Sequence, residues 1–222
     1  MSDTALTPYE RYGFAFDIDQ WYEQCKEFTF RTTLLPITPT EARVLCNEYE
    51  TITQAGGPTI TVDEQQVLSD LKQRIQNTLE SEFYDEEEGE PAAFVRLSGR
   101  SPKDSVASSS TMSDNLTRNV YQLTYSYKSR STPPSEMEIR NDELIAYYTA
   151  QVESMKFSCA EDVLDIHCSS LRVYEDLQRM LEHKLDDWSL FMAFREFMPK
   201  VDIALEFRGF VYNAELTALS QY

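Results

Sequence analysis

At 222 residues the chain is long enough to bury a real core, as one large domain or two small ones. Its 38 acidic residues against 20 basic ones leave a net charge of −18, which argues against nucleic-acid binding and favours a partner with a basic patch. With 41% hydrophobic residues, 13 Tyr and 12 Phe, the chain reads as folded. No run has signal-peptide or bilayer-spanning length, so a reduced, soluble, cytoplasmic protein without membrane contact is expected.

Cys25, Cys46, Cys159 and Cys168 show no CxxC spacing, so neither a zinc ribbon nor a redox pair is indicated. Cys159, His167 and Cys168 lack an obvious fourth metal ligand and read as isolated core residues. Taking the chain in order, Asp17 to Cys25 reads as a short aromatic-rich helix. Phe28, Phe30, Thr32 and Leu34 then alternate as a strand that stops at Pro36. Thr38, Pro39 and Glu41 make a capping box with proline in the first turn. Gly56-Gly57-Pro58 breaks that helix. Thr61 and Glu64 repeat the box ahead of the stripe Val67, Leu68, Leu71, Ile75 and Leu79. The acidic tract Asp85 to Pro91 reads as a solvated linker and a boundary.

Beyond it, Ala93, Val95 and Leu97 should face a core, with Phe94 and Arg96 on the opposite face. A loop follows with Ser98, Gly99, Arg100, Ser101, Lys103 and Asp104. Arg96, Arg100 and Lys103 form a basic spot in an acidic chain, and small residues would let backbone N–H groups approach phosphate oxygens. The pattern is neither a Walker loop nor GxGxxG, and an ordinary polar turn would also explain it. Val106 to Ser135, rich in Ser, Thr, Asn and Tyr, is expected to be a mobile or inserted loop around a strand near Val120 to Tyr127. Leu144, Tyr148, Val152 and Met155 mark one helix. Val173, Leu177, Met180 and Leu181 mark another, and both are expected to cover a sheet. His167, Ser169 and Ser170 fit core or capping roles, and no nucleophile is assigned.

The last thirty residues place charges inside strand-like runs. Leu190, Met192 and Phe194 share a face with Glu196, and Phe191 and Ala193 share the other with Arg195. From Ile203 to Tyr212, Glu206 and Arg208 share one face. A turn at Asn213-Ala214-Glu215 and a return strand from Leu216 to Gln221 complete a hairpin with a lead-in strand. Cross-strand ion pairs, Arg195 with Glu206 or Glu196 with Arg208, would explain the charges. A cleft wall aimed at a polyanion, with Pro199 at a hinge, is the sharper alternative. These residues alone favour the ion pairs.

FVRLSGRSPKDS, followed by FREFMPKVDIALEFRGFV and LTALSQY, resembles the cell division cycle protein 123 family. The likeness covers roughly the second half of the chain, and TFRTTLLPITPTEA fits more loosely. It implies an α+β, ATP-grasp-like fold of two lobes, with the C-terminal lobe incomplete. The implied divisions are an N-terminal α/β region with its acidic linker at 1–91, a nucleotide-covering lobe with a Ser/Thr-rich insertion at 92–187, and a hinge with the first strands of the second lobe at 188–222. By position, Arg96 and Lys103 would lie near ATP phosphates, with Ser101 and Asp104 shaping the loop. Arg195, Glu196, Phe197 and Met198 would be the hinge offering backbone hydrogen bonds to adenine. Glu206 would accept from ribose hydroxyls and Arg208 would reach the phosphates. Arg96 stands where the family commonly has lysine, Ser98-Gly99-Arg100 where a tryptophan-containing loop is usual, and Phe197 where tryptophan is usual. Magnesium is implied as a cofactor, with its ligands expected beyond the end of this chain.

The resemblance thus implies an ATP-dependent assembly chaperone in translation initiation. It would help form the heterotrimeric eukaryotic translation initiation factor 2 by binding the gamma subunit. An ATP-grasp ligase joining a carboxylate to an amine is the rival reading, and a nucleotide-free interaction domain is the third.

Overall fold

Strand β4 (Ala93–Leu97) lies between β5 (Lys156–Phe157) and β6 (Phe191–Glu196), and β1 (Thr32–Pro36) flanks β6 on its other side. All three pairings are antiparallel, giving the order β1-β6-β4-β5 in a computed structural model that describes residues 16–106, 109–182, 188–199, 201 and 205–221. Alternation decides which side is dry. Ala93, Val95 and Leu97 are buried, and so are Met192 and Phe194 on the neighbouring strand. These residues join one core with residues of α2 (Pro39–Thr53), α3 (Val62–Glu82), α7 (Ala160–Cys168) and α8 (Leu171–Glu182).

The helices begin where their caps dictate. Thr38 Oγ1 accepts from the Glu41 N–H, and Glu41 Oε2 accepts from the Thr38 N–H at 2.7 Å. Glu41 is itself buried, and its second oxygen takes Arg74 Nη1 of α3, so one carboxylate both caps α2 and ties α3 to it. Thr61 and Glu64 form the same box on α3, whose Leu71, Ile75 and Leu79 are fully buried. Between α2 and α3, Gly57 lies so close to the Glu50 carbonyl that a Cβ would clash with it, which explains why the chain break needs glycine there.

Contacts divide the chain into two compact units: Met1–Ser108 with Met155–Phe197, and Ser109–Ser154 with Met198–Tyr222. Asp85–Pro91 is exposed over residues 86–90, as expected, but it is not a linker. It is a hairpin of β2 (Tyr84–Asp85) and β3 (Glu90–Pro91), turned at Gly89 with φ +75° and closed by Lys156, which pairs with Glu88 and Glu90.

In the second unit the largest correction falls on residues 110–129, read from sequence as a loop around a strand. They form helix α5 (Ser110–Ser129), capped by Ser109 Oγ accepting from the Met112 N–H, which packs on α6 (Glu136–Glu153). Polar side chains serve this interface. Asn115 Nδ2 donates to Ser154 Oγ at 2.9 Å, Asn119 Nδ2 to Glu153 at 3.2 Å, and the Tyr127 hydroxyl to Asp142 at 2.8 Å. Helix α6 includes Leu144, Tyr148 and Val152 of the expected stripe but ends before the buried Met155, and it packs on a helix and turns a different face inward. Ala146 and Ala150 are buried, whereas Leu144, Tyr148 and Val152 are exposed. The second expected helix is α8, whose Val173, Leu177 and Met180 are buried. The hairpin of β7 (Phe207–Tyr212) and β8 (Glu215–Gln221) turns at Asn213 and Ala214, with φ +50° and +61°, and every strand residue is exposed.

Candidate anion-binding face

The sheet face opposite the core collects two arginines. Register pairs Arg96 with Ala193 and Phe94 with Arg195, so Phe94, Arg96, Ala193 and Arg195 share this face. Thr32 and Leu34 of β1 lie opposite Arg195 and Ala193 and extend it. Directly behind Arg96 and Arg195 lies the sheet, which limits their access to water. Burial, with neighbouring Arg195 and Arg172, lowers the Arg96 pKa to about 10 against the attraction of Asp17 and Asp176. Burial also lowers that of Arg195.

Neither arginine has a carboxylate partner at ion-pair distance among the described residues. Arg96 Nε donates to the Leu97 carbonyl at 3.0 Å and its Nη2 to the Gly99 carbonyl. Arg195 Nη2 donates to Thr29 Oγ1 at 2.6 Å, its guanidinium lies 5.6 Å from the Phe30 ring centre and 5.9 Å from that of Trp21, and its buried Nε has no hydrogen-bond partner. The strand pairing that the cross-strand ion pairs read from sequence would need is not among the sheets of the described residues, where β6 has β1 and β4 as its neighbours and β7 pairs with β8. A desolvated guanidinium without an anion is costly, by about 1–3 kcal/mol per unpaired polar group and more for a charge. An anion is the chemical partner that such a pair lacks.

The loop after β4 is organised differently from the basic spot expected there. Arg100 is committed: Nε and Nη2 grip Asp176 of α8 at 2.9 and 2.7 Å, and Nη2 reaches Glu175 at 3.1 Å. Asp104 shapes the loop by holding α8. It accepts from Ser170 Oγ at 2.6 Å and the Arg172 N–H at 3.2 Å, and although burial raises its pKa, these bonds leave it lowered overall. Ser101 is buried, and Lys103 is exposed at the start of the short helix α4 (Lys103–Val106).

Sheet hydrogen bonding occupies the backbone of the expected hinge at its first two residues. Arg195 pairs with Thr32 and Phe94, and the Glu196 N–H donates to the Arg31 carbonyl at 2.9 Å. Phe197 and Met198 are the first residues past the strand. Glu206 and Arg208 belong to the second unit, where Arg208 lies opposite Ser220 and Glu206 precedes β7. Helix α1 (Ile18–Cys25) supplies residues that the sequence did not single out. Asp17 approaches Gly99, its Oδ1 being 3.2 Å from where a Cβ would stand, with Asp176 Oδ2 at 3.4 Å. The pKa of Asp17 is raised to about 7 by burial and by Asp19 and Asp176, against Arg96 and Arg179. Nothing short of the folded register could have linked residue 17 to residues 96 and 176.

Elsewhere, His167 is fully buried with Nδ1 2.6 Å from the Val163 carbonyl, and all four cysteines are free. Among the described residues no three of His, Cys, Asp and Glu group as a metal set, and no helix is long and apolar enough to cross a membrane.

An antiparallel sheet with helices on its core face and two guanidiniums on the other defines a mixed α/β protein. No protein-family model matches the sequence, and no curated protein does. Solved structures do: the chain has a Cdc123-like fold. Cdc123 from Schizosaccharomyces pombe superposes with a TM-score of 0.56 at 19% identity, over 96% of this chain and 64% of that one. The structure of C-terminally truncated Cdc123 from the same organism gives 0.55, again at 19% identity, over 95% of this chain and 64% of that one. The chain therefore spans 64% of the length of the Cdc123 chains it matches.

Proposed function

We propose that this is an ATP-binding assembly factor of the Cdc123 kind, which works in the cytoplasm and helps form eukaryotic translation initiation factor 2 through its gamma subunit. The observation that carries the nucleotide is the pair Arg96 and Arg195, on one sheet face, desolvated, and with no carboxylate at ion-pair distance among the described residues. An ATP triphosphate supplies the missing charge. Arginine presents a fork that holds two phosphate oxygens at once, so Arg96 is a workable replacement for the lysine usual at its position. In an ATP-grasp-like arrangement Phe197, the first residue past β6, would offer its backbone to adenine. Lys103, exposed at the loop, gives a further cation. The described residues supply no ligand set for magnesium, so no step is routed through the metal. The partner reading rests on the fold likeness and on the charge of −18, which suits a basic surface.

Calorimetric titration with ATP tests the nucleotide. Wild type should bind, and Arg96→Ala should weaken binding by about 1.5–3 kcal/mol, the usual value of a hydrogen bond to a charged group. Arg96→Lys should keep much of the affinity. Equal ATP affinity in wild type and Arg96→Ala would remove this face from the site. Purified gamma subunit that fails to associate at low salt, with ATP present, would remove the partner.

A further inference from the structure

Helix α1 sits against the same face as the two arginines, and its attachment is slight. Only Ile18 of its residues is buried. The Ile18 N–H donates to the Ser98 carbonyl at 3.1 Å, which latches the start of the helix to the loop after β4. At the other end the Tyr22 hydroxyl accepts from the Thr32 N–H at 2.9 Å, beside Trp21 under Arg195. At the first latch Asp17, the residue before α1, stands near Arg96, where Asp176 of α8 also lies, and Asp19 of α1 faces Asp17. Asp19 Oδ1 is buried there without a partner. With α1 in place, an incoming phosphate would enter a spot beside two carboxylates, Asp17 and Asp176. With α1 lifted, Asp17 leaves and Arg96 opens together with Arg195.

We propose that α1 is a strap that closes the arginine face, and that a polyphosphate ligand binds by displacing it. This regulation rests on the reading of that face as a nucleotide site. Among the described residues the strap is held by the Ile18 and Tyr22 hydrogen bonds, the buried Ile18 side chain and the Trp21 ring under Arg195, few contacts for a helix and the mark of an element at the low-stability end of a fold. Ligand affinity is then divided by the fraction of molecules with α1 lifted. The charged groups facing Asp17 are Asp19 on its own helix, Asp176 and Arg179 on α8, and Arg96 on β4. Their balance, added to burial, favours the protonated carboxyl while α1 is docked. Docking should therefore weaken as pH rises through about 7.

The test uses the full chain carrying Trp188→Phe, so that Trp21 alone reports. Its acrylamide quenching is read without ligand, and affinities for ATP and for sodium tripolyphosphate are titrated in wild type, Asp17→Asn and Tyr22→Phe. If Trp188→Phe does not fold, 5-fluorotryptophan in the native sequence gives Trp21 its own NMR signal. A strap predicts that Tyr22→Phe, which loses the acceptor for Thr32, exposes Trp21 and tightens both ligands by about tenfold. Asp17→Asn, which mimics the protonated carboxyl, should shield Trp21 and weaken both ligands. Raising pH from 6 to 8 should open wild type but not Asp17→Asn. A fixed wall predicts the reverse for Asp17→Asn, because removing a carboxylate beside Arg96 would then tighten binding, and that result overturns the proposal. Trp21 quenching that is the same in all three proteins and at both pH values also overturns it, whatever the ligands do. Tripolyphosphate that follows the strap pattern while ATP binds no better supports the strap and sinks the nucleotide reading. Failure of both ligands on all three proteins sinks both.

Discussion

His167 shows how a single buried group can set the acid limit of the fold. Its ring is 1% exposed, Nδ1 meets the Val163 carbonyl, and Nε2 is buried without a partner. Burial lowers its pKa from 6.5 to about 4, so the ring stays neutral in the folded protein at pH values where the unfolded chain already binds a proton. Stability from this residue is therefore present above pH 6.5 and is lost as pH falls toward 4. Across that window the loss amounts to about 3 kcal/mol. Asp17 works in the opposite direction, since its raised pKa favours the folded form at lower pH. Urea denaturation of His167→Leu at pH 7 and pH 4 checks the first effect. Relative to wild type, the variant should gain about 3 kcal/mol on going to pH 4. A difference between the two proteins that does not change with pH would mean that His167 takes up a proton while folded.

Elements differ in how far the sequence could announce them. The capping boxes at Thr38 and Thr61 were legible because each is a local contract among four residues, and the inward face of β4 was legible because alternation is local too. Helix α5 was not. Its serines, asparagines and tyrosines look like loop composition, yet Asn115, Asn119 and Tyr127 are the groups that bond to α6 and its C-cap, and Ala146 and Ala150 let the helices approach. The same interface inverts the reading of α6, where the larger apolar residues face out. Leu144→Ser should therefore change stability by less than about 0.5 kcal/mol, as expected of an exposed site. Ala150→Leu, forced into the α5 interface, should cost about 1–3 kcal/mol. Thermal denaturation of both variants decides it. A large loss from Leu144→Ser would show that this face is covered. Of the candidate site, sequence alternation placed Arg96 opposite the core and found the charge of Arg195. That the two are neighbours depends on β6 inserting between β1 and β4, a pairing between segments about a hundred residues apart in the chain.

At the scale of the whole molecule, burial is shared unequally between the two units. In the first, sheet and helices close on one core that leaves Val95, Met192 and Phe194 with no exposed surface. In the second, β7 and β8 expose every residue, including Phe207, Phe210, Val211, Tyr212, Leu216 and Leu219, which are 49–71% exposed. A two-stranded hairpin that buries nothing is marginally stable in water, and positive φ at Ala214 in its turn adds strain that asparagine at 213 tolerates better. Apolar strands left open in this way are also pairing templates for another chain. Hydrogen exchange should separate the two units. Amides of β4 and β6 should open only with global unfolding, while those of β7 and β8 should exchange through local opening at nearly the rate of an unfolded peptide. Measuring exchange at two protein concentrations makes the reading sharper, because protection gained by strand pairing between copies rises with concentration. Protection in β7 and β8 equal to that of β6 at the lower concentration would show that the hairpin is covered in the isolated chain.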